Sequence, residues 1–348
     1  MTSPIARHRI RPHDDELLSS YLMRVAHAEG TSPQRWAQHH LRHLELWTRD
    51  ADRALPTSTM STLAAHLGCS MDSITALSVD TGLDDRQPRC HAGVEPWITA
   101  VGLFHRIRHL HGLQYCPACL AEEPYFRRLW RLAFVTHCPV HHRVLLDGCV
   151  RCDAPIVPHR HERLPTHCPI CGMDLAHPTI SGEPTDDTTM AYVSQSSWLN
   201  AQSTRRFALG TASIPWHDAL KGCRALIAVH RCSLTQTLRM LPPRSGVFEA
   251  QRVGLRMATM QWLHRVLAHW PRAWLEDARR GHVTQRSFHR QASIPPWLQH
   301  ALQFLHVGHT RDRWRRARAF QVHIRRLRQL RPPHWRTDHA QQFARWAP

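Results

Sequence analysis

The chain has 348 residues and a formal net charge of +18, with 45 Lys and Arg against 27 Asp and Glu, an excess that points to a polyanionic partner. Its length suits two or three domains, and its 42% apolar and 21% charged content excludes wholesale disorder. No run reaches the ~18 consecutive apolar residues of a membrane helix, and the basic stretch from Met1 to Arg11 leads into no signal-type apolar segment, so the expected location is the cytoplasm, where eleven Cys serve as thiols or metal ligands rather than disulfides.

Lys221 is the only Lys, the other basic residues being Arg. A GC-rich coding bias explains Arg in place of Lys, but not the surplus of bases over acids. Pro is frequent (24) and Gly scarce (15), which suits helices with stiff connections better than a large sheet.

In chain order, Asp14 and Asp15 are placed to cap a helix that carries Leu17, Leu18, Tyr21, Leu22 and Val25 on one face and stops at Gly30. Ser32-Pro33 restarts a helix with Ser as cap and Pro in its first turn. Residues 59–78 read as a helix-turn-helix: Leu63, Ala64 and Leu67 inward, Gly68-Cys69-Ser70 as the turn, Ile74 and Leu77 inward again. Its second helix, about Met71 to Ser78, has Asp72 and no Arg or Lys, whereas a helix in the major groove needs cationic or amide side chains. The pair is therefore read as a structural or partner-binding unit.

The strongest signal lies at residues 116–171. Cys116-Pro-Ala-Cys119, Cys138-Pro-Val-His141, Cys149-Val-Arg-Cys152 and Cys168-Pro-Ile-Cys171 are four ligand pairs, each with two intervening residues. That spacing lets the backbone fold back so that both side chains reach one ion, and eight thiol and imidazole groups fill two closed tetrahedral zinc sites. Pairing in sequence gives one Cys₃His and one Cys₄ site; a cross-braced pairing, first with third and second with fourth, is the alternative. His137, His142 and His167 neighbour the ligands, and Cys69, Cys90, Cys223 and Cys232 lack partners at ligand spacing. Closed sites leave no position for a reacting water. The chain also shows no HExxH, P-loop, nucleophile-elbow or dinucleotide Gly pattern, so no enzymatic activity is expected.

Beyond this block, residues 178–190 are polar and rich in Pro, Thr and Asp, and read as a linker. Met257, Met260, Trp262, Leu263, Val266 and Leu267 form an apolar helix face ended by Pro271. Residues 311–330 form an amphipathic pattern with Trp314, Ala317, Phe320, Ile324 and Leu327 on one side and Arg on the rest. The expected architecture is mainly α and multi-domain. It comprises an N-terminal helical, helix-turn-helix-like domain (1–95), a central tandem zinc-binding block (96–178), a linker (179–190) and a C-terminal basic helical domain (191–348).

The stretch CPACLAEEPYFRRLWRLAFVTHCPVHHRVLLDGCVRC (116–152) resembles the TniQ family, and DELLSSYLMRVAHAEG (15–30) is similar to the family's usual start. Val150 stands where the family often has Pro, and the chain is shorter than the TnsD-like members that read a fixed site. The resemblance implies a non-catalytic bacterial adaptor in transposition. It would link target DNA, or a CRISPR Cascade-type guide-RNA complex, to the AAA+ ATPase that recruits the transposase, in some systems as a homodimer. The competing reading is a stand-alone zinc-dependent DNA-binding transcription regulator. Two surfaces are candidates: Tyr125, Arg127, Arg128 and Trp130 for the protein partner, and Arg315, Arg316, Arg325 and Arg326 for nucleic acid.

Overall fold

The computed structural model describes residues 10–44, 46–47, 50–53, 55–79, 81, 95–99, 101, 103–104, 107–108, 113–160, 166–177, 186–237, 248–289, 291 and 293–308. Among these the chain is mainly helical, with two short antiparallel hairpins. The first half holds α1 (Leu18–Ala28), α2 (Pro33–His40), α3 (Thr57–Leu67), α4 (Met71–Thr75), the hairpin β1 (Leu103–Phe104) and β2 (Ile107–Arg108), and α5 (Pro117–Glu122). The second half holds α6 (Asp186–Thr204), the hairpin β3 (Arg206–Leu209) and β4 (Ala212–Pro215), α7 (Trp216–Thr237), α8 (Val253–Ala268), α9 (Arg272–Arg280) and α10 (Pro296–Leu302). No described helix is long and apolar enough to cross a membrane.

The local rules largely hold. Ser32 caps α2, its side chain accepting from the Arg35 N–H, with Pro33 in the first turn. Gly68 ends α3 in the left-handed region at φ 64°, and Ser70 caps α4 by accepting from Ser73 N–H. Leu63, Ala64, Ile74 and Leu77 are buried as the helix-turn-helix pattern requires, but Leu67 is only partly so. α4 is five residues long, less than two turns.

α1 departs from its expected start. Its first residue is Leu18, preceded by Leu17 with no side-chain cap. Asp15 is drawn away to Tyr125 and Arg127, and the Leu17 N–H donates to Phe126 O at 2.9 Å. The Asp14 and Asp15 cap is thus replaced by a tether to residues 125–128. In the second half, α6 begins at Asp186, inside the polar segment read as linker. The hairpin β3–β4 interrupts a stretch expected to be helical; Phe207 and Leu209 alternate inward and Gly210-Thr211 supply a two-residue turn. The arm at 311–330, with Arg315, Arg316, Arg325 and Arg326, lies outside the described residues.

α1 joins two buried clusters. Leu18, Tyr21, Leu22, Val25 and Ala26 pack with α2, α3 and α4, whereas Leu17 and Met23 belong to a larger cluster with Trp97, Trp130, Phe134, Trp198 and Trp216. Polar bonds pin the same junction. Arg131, fully buried, donates to Thr99 O at 3.1 and 2.8 Å, to Asp50 at 2.5 and 3.0 Å, and to Asp52 at 2.8 Å. Asp52 also accepts from the backbone and hydroxyl of Ser19 at 2.7 and 2.8 Å.

From the other side, Gln195 of α6 accepts from the N–H groups of Thr136 and His137 and donates to His137 O. Arg256 of α8 is likewise buried and donates to Ala133 O at 2.9 Å. Segment 131–137 is therefore held by both halves of the chain.

Removing one member of a buried ion pair strands the other without water, at a cost of ~3–5 kcal/mol. Arg131→Met leaves Asp52 in that position and is expected to lower the urea-unfolding free energy by about that amount. An unchanged denaturation midpoint would show that the network is not structural.

Candidate metal centres

Three of the four ligand pairs share one backbone device. The N–H of the first ligand donates to the carbonyl five residues on: Cys138 to Arg143 at 2.8 Å, Cys149 to Ala154 at 2.9 Å, Cys168 to Met173 at 2.8 Å. The N–H four residues on donates back to the first ligand's carbonyl, from His142, Asp153 and Gly172 at 2.9, 2.8 and 3.0 Å. This closure forces positive φ just after the second ligand: 52° at His142, 55° at Asp153 and 69° at Gly172. Only the last is Gly, so the other two knuckles carry a conformation that costs an L-residue roughly 1 kcal/mol.

The first pair is built differently. Cys116 is the N-cap of α5, Pro117 occupies the first turn, and Cys116 and Cys119 meet as neighbours three residues apart.

The structure gathers the pairs in sequence, not cross-braced. Cys116, Cys119, Cys138 and His141 form one group and Cys149, Cys152, Cys168 and Cys171 the other, with ligand atoms in each within 4.8 Å of one another. Sγ of Cys119 lies 3.5 Å from that of Cys138, and His141 Nδ1 lies 3.6, 3.3 and 3.6 Å from the sulfurs of Cys116, Cys119 and Cys138. In the second group Cys149–Cys171 and Cys152–Cys168 are both 3.6 Å apart.

These separations are far from the ~2.05 Å of a disulfide. A tetrahedron with bonds of ~2.3 Å to sulfur and ~2.0–2.1 Å to nitrogen has edges of about 3.8 and 3.6 Å. The donor set and its spacing fit zinc, and each group could hold one metal ion.

His141 turns Nδ1 to the three sulfurs and places Nε2 2.9 Å from Glu122 Oε1. A carboxylate there fixes the ring and the tautomer, leaving Nδ1 free to ligate. Sequence reasoning missed Glu122, although it lies three residues beyond Cys119 on α5 and so shares its face. Backbone N–H groups also point at sulfur, from His141 to Cys138 at 3.3 Å and from Ile170 to Cys168 at 3.5 Å.

The neighbouring histidines belong to neither group. His137 is buried beside Thr136 Oγ1 at 3.0 Å, and burial holds its imidazole below the ordinary value. His142 packs edge-on against Tyr192, and His167 lies 3.0 Å from Thr166 Oγ1. Cys69 lies 3.5 Å from the Tyr21 hydroxyl and Cys223 is buried, neither in a metal group; Cys90 and the Cys232 side chain fall outside the described residues.

In the segment expected to be a partner surface the aromatic side chains are buried and Arg127 and Arg128 are partly exposed. Trp130 is fully buried and Tyr125 is 3% exposed. Tyr125 OH donates to Asp15 at 2.7 Å, Arg127 donates to Asp15 at 2.8 Å, and Arg128 donates to Asp14 O at 2.8 Å. Burial pushes the Asp15 carboxyl up, but the bonds from Tyr125 and Arg127 outweigh it and hold its pKa below the usual value. Tyr125, Arg127 and Arg128 thus fasten Asp14 and Asp15 to this segment, and Arg127 and Arg128 stay partly exposed.

The second group is fastened to the start of α8. Asp147 accepts from the Val253 N–H at 2.6 Å, the first residue of α8, where a carboxylate answers an unpaired helical N–H. Asp153 forms an ion pair with Arg252, just before that helix.

Removing a partner of a ligating His typically costs ~10–100-fold in metal affinity. Glu122→Gln is therefore expected to weaken the first group's affinity for zinc by about that factor in a chelator competition, with the second group unchanged. Equal affinities before and after would remove Glu122 from the site.

No curated protein matches the chain. The TniQ family model matches residues 7–145, a span that takes in the helix-turn-helix unit and all of the first metal group and ends before the second. Over residues 7–145 the chain is similar to the TniQ family.

Proposed function

We propose that the protein is a zinc-dependent, non-catalytic adaptor for transposition target selection, linking a chosen target to an AAA+ ATPase that recruits the transposase. The similarity to the TniQ family implies a transposition-associated target-selection role. The observation that carries the adaptor reading is that both Cys/His groups supply four protein ligands each, with tetrahedral spacing, so an ion held there is structural. The target is DNA, a guide-RNA complex of the Cascade type, or both, and a homodimer is compatible with the reading. A DNA-reading transcription regulator is disfavoured by α4, five residues long with Asp72 in its first turn.

The chain is expected to purify with two zinc ions. Cys119→Ser and Cys168→Ser should each lose one ion and open the adjoining segment to limited proteolysis. Full metal content and unchanged resistance in both variants would dismiss these ligands. Alone, the chain should neither hydrolyse ATP nor cleave or join DNA, and it should raise retention of the ATPase on target. Strand cleavage by the purified chain, or no effect on the ATPase, contradicts the adaptor.

Residues 311–348 hold eleven Arg against Asp312 and Asp338, and we assign them to sequence-independent phosphate binding. Changing Arg315, Arg316, Arg325 and Arg326 to Gln should weaken nucleic-acid binding and flatten its salt dependence, by ~0.9 in log–log slope for each phosphate no longer neutralised on duplex DNA. An unaltered affinity and slope would place the basic excess elsewhere.

A further inference from the structure

The two metal groups differ in how solvent reaches them. In the first, Cys116, Cys119 and Cys138 are all fully buried, and the ligand nearest water is an imidazole, His141, which peroxide does not attack as it does a thiolate. In the second, Cys149 and Cys168 are buried but Cys152 is exposed and Cys171 partly so. The adjoining side chains do not shield it: Arg151 is exposed, and the knuckle tips Val150 and Ile170 are 41% and 65% exposed. The exposed thiol also has a near neighbour, since Cys152 Sγ lies 3.6 Å from Cys168 Sγ on the opposing knuckle. Closing that gap to a ~2.05 Å disulfide needs a shift of only about 1.5 Å.

Resting on the metal-binding reading above, we propose that the second group is a thiol-oxidation site, at which hydrogen peroxide joins Cys152 to Cys168 and expels the metal, while the first group stays intact. The Cys152 thiolate attacks one peroxide oxygen, the O–O bond breaks, and the departing hydroxide takes a proton to leave as water. The resulting Cys152 sulfenic acid is attacked at sulfur by the Cys168 thiolate, which forms the S–S bond and releases a second hydroxide, protonated to water. Each sulfur loses one electron and each peroxide oxygen gains one. Two thiolates, one peroxide and two protons give one disulfide and two waters. With two of its four ligands consumed, the ion leaves.

The consequence is mechanical. Asp147 and Asp153 flank the Cys149–Cys152 knuckle and hold the start of α8 through Val253 N–H and Arg252. Loss of the ion frees that knuckle, and with it the fastening of α8. The first group, whose surroundings bond to residues 14–17 and to Gln195, has no such route.

The test uses the full-length, zinc-loaded chain. Zinc content is measured first, and a value below two refutes the metal-binding reading itself. Hydrogen peroxide is then titrated in while a chromogenic chelator reports released zinc, and alkylation with peptide mass spectrometry maps the thiols. One zinc is expected to leave at least about tenfold faster than the other, together with a Cys152–Cys168 disulfide and with Cys116, Cys119 and Cys138 still reduced. Hydrogen exchange should rise at residues 253–258 in the same phase. Cys152→His, which keeps four ligands, should slow that first release about tenfold. Simultaneous loss of both ions, earlier oxidation of the first group, or a first disulfide without Cys152 would overturn the proposal, whether or not the variant binds its second ion.

Discussion

An ion with four short bonds fixes the separation of its ligands, and through them the chain segments that carry those ligands. Among the described residues, 113–160 and 166–177 have little regular structure beyond α5, two short 3-10 turns and isolated bridges such as Tyr115 to Leu146 and His137 to Val144. This segment, with its two four-ligand groups, is the part to which the rest is attached. Residues 14–17 bond to Phe126, Arg127 and Arg128; α6 bonds to residues 136–137 through Gln195; and α8 bonds through Arg256, Arg252 and the Val253 N–H. Its side chains Leu113, Tyr115, Phe126, Trp130 and Phe134 share one apolar cluster with Trp198 and Trp216, and ions held by the two ligand groups would add their binding free energy to that burial.

Beside the shared apolar cluster, the attachments include buried polar bonds. Arg131, Arg256, Glu16, Asp52 and Glu249 are all at most 2% exposed, and each finds a bonded partner. Buried ion pairs give little net stability against a well-packed apolar substitute, but they are strict about geometry. Their placement at the junctions of α1, residues 131–137 and α8 sets how these parts are fastened to one another.

The ligand pairs were legible because thiol and imidazole at two-residue spacing have few other uses. Their partition was not, because intervals of eighteen and fifteen residues permit either pairing. The helix-turn-helix unit was visible in Gly68 and Ser70, one fitted to positive φ and the other to capping. Asp15 misled because an acid before a helix reads as a cap, and its partners Tyr125 and Arg127 are more than a hundred residues away. The partners of Arg127, Arg128 and Arg131 are carboxylates and carbonyls far away in sequence, which only the fold supplies. Glu122 needed one more step, the extension of α5 past Cys119.

The two ligand groups are separate, with Cys116, Cys119, Cys138 and His141 in one and Cys149, Cys152, Cys168 and Cys171 in the other. Cadmium replaces zinc at thiolate sites and is observable by NMR, so proton–cadmium correlation spectra of the ¹¹³Cd-loaded chain test that arrangement most directly. Two cadmium resonances are expected, one correlating with the β-protons of Cys116, Cys119 and Cys138 and with the ring of His141, the other with the β-protons of Cys149, Cys152, Cys168 and Cys171. A resonance that correlates with both Cys116 and Cys149, or a single resonance in all, would contradict it.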